Sequence, residues 1–202
     1  MKEKWHKIKK RIIKAIIYFL VFIVYRPKKI GEENIPKEGS YIICGNHIHS
    51  LDAVVLVASL KREVIFIAKE ELYKNAFFAW LGHTFDVIAI KRDSADIDAM
   101  KSSFKALKQG KILGLFPEGT RNGMAKGVKL HNGTALIALK TNNNIIPVGI
   151  QGSFKPFRKV KLNIGKPMDF SKFANQKNDK EVLDSITKQV MSEVVRLTNE
   201  KV

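Results

Sequence analysis

Tyr41-Ile42-Ile43-Cys44-Gly45-Asn46-His47-Ile48-His49-Ser50-Leu51-Asp52 is the stretch on which the reading of the chain turns. An apolar run, Tyr41 to Gly45, leads into a polar segment, and a second apolar run, Ala53 to Leu60, leaves it. On one straight helix a histidine and an aspartate five residues apart are rotated by about 500°, roughly 140° past alignment, and cannot share a face. They meet if His47 lies on the turn leaving a strand and Asp52 stands at the start of a helix. The carboxylate then accepts from one imidazole nitrogen and leaves the other free as a base. The structural alternative is that Asp52 or Ser50 caps the helix.

Outward from this unit the same alternation continues. Short β-prone runs recur at Val64–Ala68, Val87–Ile90, Ile112–Phe116, Ile145–Ile150 and Val160–Ile164. Helical patterns separate most of them. Residues 95–109 carry a stripe at Ile97, Met100, Phe104 and Leu107 that stops at Gly110, and residues 134–140 form a short Ala/Leu-rich segment. A last amphipathic stretch near residues 178–199 repeats at Leu183, Ile186, Val190, Val194 and Leu197. Strands alternating with helices predict an α/β domain with a mostly parallel central sheet flanked by helices, whose ligands collect where strands end and helices begin. Residues 28–39 and 119–133 read as loops. Residues 72–82 read as one helix whose adjacent Phe77, Phe78 and Trp80 cannot all point one way. They leave open a membrane- or ligand-facing ring or plain core packing.

The 202 residues suit one domain with a real core, and 45% apolar with 27% charged residues is ordinary for a globular protein. The formal charge of +17 is not ordinary. Ten Lys and Arg against one acid, Glu3, fall in the first 30 residues. A field of that sign suits anionic lipid, nucleic acid or an acidic carrier protein. The single cysteine, Cys44, excludes an internal disulfide framework and fits a reducing compartment. Behind the basic start, Ala15 to Tyr25 is an unbroken apolar run of 11 residues, short of the roughly 20 that span a bilayer. A signal peptide is the rival reading, but no small-residue cleavage site follows; the run ends in Tyr25-Arg26-Pro27-Lys28-Lys29. Basic residues on both sides favour a helix lying in the membrane interface, or dipping in and returning, with both ends on the cytoplasmic face and Lys14 reaching the headgroups. The expected organisation is therefore a membrane-associating helical segment over residues 1–29, followed by the α/β domain over residues 30–202. A helix packed on the protein's own core is the bland alternative.

Two basic strand ends add chemistry. Ile112-Leu113-Gly114-Leu115-Phe116 runs straight into Pro117-Glu118-Gly119-Thr120-Arg121, which places a guanidinium and loop amides at a sheet edge, a combination suited to a phosphate. Val87-Ile88-Ala89-Ile90 ends likewise in Lys91-Arg92. Each taken singly is matched by an ordinary surface turn, but in a parallel sheet both would converge with the His47 turn. The five histidines show no metal-ligand spacing.

The order Asn46-His47-x4-Asp52, then a β-run ending in Arg92, then Phe116-Pro117-Glu118-Gly119-Thr120-Arg121, then Ile145-Ile146-Pro147-Val148, resembles the four blocks of the glycerolipid acyltransferases. The resemblance is strongest to the short bacterial 1-acylglycerol-3-phosphate acyltransferases and covers essentially the whole chain. It implies a phospholipid-biosynthesis enzyme that transfers an acyl group from acyl-CoA or an acyl-carrier protein to the free hydroxyl of lysophosphatidic acid, giving phosphatidic acid. It further implies His47 as general base held by Asp52, and acceptor-phosphate binding by Arg92, Glu118, Gly119, Thr120 and Arg121. Glu118 is associated either with the acceptor or with holding its loop. The thioester is a co-substrate and no further cofactor or metal is implied. The expected location is the cytoplasmic face of the cell membrane, peripheral or monotopic, among anionic lipids.

This chain departs from the family pattern at three places. His49 stands where block one usually has Ser, which makes it a rival base or a second donor. Asp86 stands where block two usually opens with Gly, and an acid there would oppose a phosphate unless turned away. His131-Asn132 precede Gly133 where paired basic residues are usual, with Lys126 and Lys129 as substitutes. Cys44 falls inside an apolar strand and reads as a buried inert thiol. An acceptor such as glycerol-3-phosphate or another lysophospholipid is the near rival. A non-enzymatic membrane- or nucleic-acid-binding protein would account for the charge but not for the joint presence of Asn46-His47 and Phe116–Arg121, so nucleic acid is not an expected partner.

Overall fold

A computed structural model describes residues 2–91, 97–176 and 179–199, with the side chains of residues 2–4, 6 and 7 not included. Its strands are β1 (Lys28–Ile30), β2 (Tyr41–Gly45), β3 (Val64–Lys69), β4 (Ile88–Ile90), β5 (Ile112–Leu115), β6 (Ile145–Gly152) and β7 (Val160–Ile164). The helices are α1 (Lys2–Tyr25), α2 (Asp52–Ser59), α3 (Ala76–Thr84), α4 (Ile97–Lys108), α5 (Gly133–Thr141) and α6 (Lys180–Asn199). The strands form one seven-stranded sheet in the order β1-β7-β6-β2-β5-β3-β4. All neighbours are parallel except β6 and β7. The α/β expectation with a mostly parallel sheet is met.

Side-chain alternation along the strands divides the core between two faces. Tyr41 and Ile43 of β2 join Val21 of α1, Val55 and Leu56 of α2 and Leu81 of α3 on one side. Ile42 and Cys44 point the other way, into a layer built by Leu107 of α4, Ala135 and Ala138 of α5, and Ile186, Val190 and Val194 of α6. Strands buried on both faces explain why the sequence shows continuous apolar runs here rather than alternation.

Two elements differ from the sequence reading. Residues 28–39 are not all loop: Lys28, Lys29 and Ile30 pair in parallel with Lys161, Leu162 and Asn163 of β7. Three residues, two of them lysines, are too few to display a period-two signal, and only the neighbouring strand makes them β. Residues 72–82 are not one helix either. A 3-10 turn over Glu70–Lys74 precedes α3, and Asn75 between them accepts from the Phe77 and Phe78 N–H groups. Asn75 is thus an N-cap that interrupts the apolar pattern. Phe78 packs on the core, while Phe77 and Trp80 are exposed.

α1 is continuous, and it lies on the domain. Ile17, Tyr18, Val21 and Tyr25 pack against the sheet-side core. The opposite face leaves Ile12, Ile16, Phe19, Leu20 and Ile23 exposed. Among the described residues no helix is long and apolar enough to cross a membrane.

Candidate active site

β5 and β6 flank β2 and both run parallel to it, so the segments that follow the three strands emerge at one edge of the sheet. The His47 turn leaves β2 there, beside the Pro117–Arg121 turn leaving β5. Asn46, buried at the end of β2, exchanges two hydrogen bonds with Ile150 of β6: its amide nitrogen donates to the carbonyl at 3.0 Å and its side-chain oxygen accepts from the N–H at 2.7 Å. This clamp fixes the point from which the His47 turn departs.

Asp52, fully buried as the first residue of α2, organises the turn backwards. Its Oδ2 accepts from His47 Nδ1 at 2.8 Å and from the backbone N–H groups of Ile48 and His49 at 2.7 Å each. The capping alternative fails: Leu51 holds the cap position, and no side chain caps α2. With Nδ1–H directed at the carboxylate, the other ring nitrogen carries the lone pair. The His47 side chain remains 22% exposed.

The His47 ring is held by a ladder of aromatics. It stacks on Phe116 with centroids 4.6 Å apart and 8° between planes, and Phe116 stacks on Phe66 at 5.2 Å. Two glycines make room. A Cβ on Gly45 would lie 3.3 Å from the Phe116 ring, and one on Gly114 would drive into the Phe66 ring. The ladder joins three strands and so has no local signature in the sequence.

Glu118 does not face solvent. Its carboxylate is buried, with Oε1 accepting from the His47 N–H at 2.8 Å and Oε2 from the Met124 N–H at 2.9 Å. Of the two roles the resemblance allowed, this geometry serves to hold the loop. The Asn122 N–H adds a bond to the His47 carbonyl at 2.6 Å, so the segment carrying Arg121 is tied directly to the His47 turn. Arg121 is exposed beside it. Gly119 adopts a left-handed φ of 59°, and its N–H closes the turn on the Phe116 carbonyl at 2.9 Å instead of standing open to a phosphate. Thr120 is half-buried in the same turn. Arg92 lies outside the described residues.

The departures from the family pattern also find places. His49 turns its ring onto Phe154, 4.3 Å away, and its Nδ1 accepts from the Leu51 N–H at 3.2 Å. The ring that contacts Asp52 is that of His47. Asp86, in left-handed backbone at φ 56°, forms ion pairs with Lys10 and Lys14 of α1, so Lys14 turns to the domain and not to the headgroups expected of it. Burial acts to raise its carboxyl, but the two lysines outweigh this and hold it below the usual carboxylate range. Lys126 and Lys129 are exposed on the loop after the β5 turn. Cys44 is fully buried, and burial pushes its thiol far up, with the Glu118 charge adding to the effect.

The sequence profile of the family described as Acyltransferase matches residues 26–151, more than half of the chain. The chain belongs to the acyltransferase family. The acyltransferase is 29% identical over 179 residues to the 1-acyl-sn-glycerol-3-phosphate acyltransferase of Bacillus subtilis, covering 85% of this chain and 88% of that protein. It is 33% identical over 120 residues to the protein of the same description from Borreliella burgdorferi, across 58% of this chain and 48% of that one. In three dimensions it is similar to the crystal structure of the 1-acyl-sn-glycerophosphate (LPA) acyltransferase PlsC from Thermotoga maritima. The TM-score is 0.67 at 25% identity, over 98% of this chain and 84% of the other.

Proposed function

We propose that this acyltransferase moves an acyl group from a thioester, acyl-CoA or acyl-carrier protein, to the free hydroxyl of lysophosphatidic acid. The observation that carries the reading is the three-bond hold of Asp52 Oδ2 on His47 Nδ1 and on the two N–H groups that follow His47. It fixes one tautomer and leaves Nε2 as the proton acceptor. The relatives' shared activity, acylation of 1-acyl-sn-glycerol-3-phosphate, supports the choice of acceptor.

In this mechanism Nε2 takes the hydroxyl proton as the oxygen attacks the thioester carbonyl. The C–S bond of the tetrahedral intermediate then breaks, and the departing thiolate recovers the proton from the imidazolium. A hydroxyl is a poor nucleophile at neutral pH, and general-base help of this kind is worth ~10²–10⁴ in rate. Asp52 stabilises the transient imidazolium by charge. Arg121 grips the acceptor phosphate from the loop that Glu118, Gly119 and Thr120 shape, with Arg92 as a second cation. The run of exposed apolar residues along α1 supports a helix lying in the membrane interface with its outer face toward lipid, and the exposed Lys9 and Arg11 available to anionic headgroups.

Purified protein incubated with labelled acyl-CoA and each acceptor tests the reaction. Phosphatidic acid should form from lysophosphatidic acid, and His47→Ala should lower the rate by ~10²–10⁴ with the fold intact. Product from glycerol-3-phosphate and none from lysophosphatidic acid would overturn the choice of acceptor. For the anchor, truncating α1 would strip the core of Val21, so Ile16→Ser with Phe19→Ser on the exposed face is the cleaner variant. It should shift the protein out of the membrane fraction.

A further inference from the structure

We infer that the loop between β6 and β7, residues 153–159, is a second membrane-contacting element, which inserts Phe157 into an anionic bilayer beside the end of α1. The inference rests on the reading of α1 as an interfacial helix.

Ser153-Phe154-Lys155-Pro156-Phe157-Arg158-Lys159 holds three cations, two aromatic rings and no acid. Because β6 runs parallel to β2, the loop leaves the sheet at the edge that carries the His47 turn. Its two rings go opposite ways. Phe154 turns inward, stacked on His49 and 5.5 Å from the ring of Tyr25. Phe157 turns outward and is 66% exposed. Phe157 also holds a left-handed φ of 63°, a conformation that a bulky side chain rarely adopts without something that holds it. Two bonds hold it: the Arg158 N–H closes a turn on the Lys155 carbonyl at 3.2 Å, and the Phe157 N–H donates to the Val24 carbonyl at 2.7 Å, satisfying one of the orphan acceptors at the α1 C-terminus.

The second bond ties the Phe157 backbone to the C-terminal end of α1, whose last turn and a half also carries Phe22, 66% exposed. Exposed apolar residues thus stand on both elements at this helix end, and Lys155, Arg158 and Lys159, all exposed, flank Phe157 in sequence. A soluble acidic partner would answer the cations and leave Phe157 and Phe22 in water. A bilayer answers both, with hydrocarbon for the rings and anionic headgroups for the cations. Near an anionic surface each cation is worth roughly fivefold in partitioning, so three are worth about a hundredfold.

Sedimentation of the full chain with vesicles tests this, using phosphatidylglycerol mixed with phosphatidylcholine against phosphatidylcholine alone. Phe157→Gly suits the positive φ, so thermal unfolding should be unchanged or improved while vesicle binding falls about tenfold. Changing Lys155, Arg158 and Lys159 together to Gln should lower binding about a hundredfold, on the anionic vesicles only. If a Phe19→Ser, Phe22→Ser variant releases the protein while both loop variants bind like wild type, the α1 reading stands and the loop assignment is overturned. If none of the three variants releases the protein, both readings fail. Loop variants that bind vesicles normally but show a raised KM for acyl-CoA would assign the cations to the donor and overturn the membrane role.

Discussion

Asp52→Asn separates the charge at this site from its geometry, and the structure allows the outcome to be worked out. Oδ2 receives three donors, from His47 Nδ1 and from the Ile48 and His49 N–H groups. An amide placed with its oxygen at that position keeps all three bonds; the reverse placement would set an NH₂ against three donors. Its NH₂ then takes the place of Oδ1, which is buried with no hydrogen-bond partner among the described residues. An unpaired buried amide hydrogen costs about 1–3 kcal/mol, tolerable against a total stability of about 5–15 kcal/mol. What disappears is the attraction between carboxylate and imidazolium, on the order of 4 kcal/mol at a 4 Å separation and an effective dielectric near 20. His47 is partly exposed, so the effect on kcat should be smaller, about 10²–10³-fold. Asp52→Ala instead leaves the Ile48 and His49 N–H groups unpaired and should cost about 2–6 kcal/mol in stability as well as activity. Initial rates with labelled acyl-CoA and lysophosphatidic acid, together with urea midpoints, distinguish the two variants. Wild-type kcat in Asp52→Asn would refute the electrostatic role. A midpoint as low as that of Asp52→Ala would refute the claim that an amide oxygen can replace Oδ2.

Three further outcomes follow from the packing around the site. Glu118→Gln offers one acceptor oxygen where His47 and Met124 need two, so the urea midpoint should drop by the equivalent of about 1–3 kcal/mol; an unchanged midpoint would contradict the loop-holding geometry. Gly114→Ala pushes a methyl into the Phe66 ring, an overpacking cost of about 1–3 kcal/mol. The shift should pass through Phe116 to His47, lowering kcat about tenfold, and a variant with normal stability and normal kcat would sever that link. Asp86 is held below its unfolded value of about 3.9, so its pairing with Lys10 and Lys14 stabilises the fold fully above roughly pH 5. That contribution is lost as the pH falls through the lowered value. Asp86→Asn should therefore be less stable than wild type at neutral pH, by less than about 1 kcal/mol for so exposed a pair, with the gap closing near pH 2. A gap of equal size at both pH values would exclude the ion pairs as its cause.

The sequence by itself determined most of the fold and one pair at the centre of the site. Buried strands announce themselves as runs such as Tyr41–Gly45 and Ile112–Leu115, and the 3.6-residue repeat of Leu183, Ile186, Val190 and Val194 marks α6, because both signals are local. Five residues separate His47 from Asp52, so their meeting follows once a strand-turn-helix is granted. Three kinds of feature could not be read this way. β1 is a strand only because β7 offers it a partner more than a hundred residues away in sequence. The burial of Glu118 depends on His47 and Met124 supplying backbone donors from two segments, so the same Pro-Glu-Gly turn on another scaffold could face water. The ladder from Phe66 through Phe116 to His47 exists because β2 and β5 lie side by side with β3 beyond, and two glycines let the rings approach. Periodicity and spacing encode what a chain does with its own neighbours. Which distant groups satisfy a buried carboxylate, orient an imidazole or turn Asp86 toward α1 is decided only when the sheet brings them together.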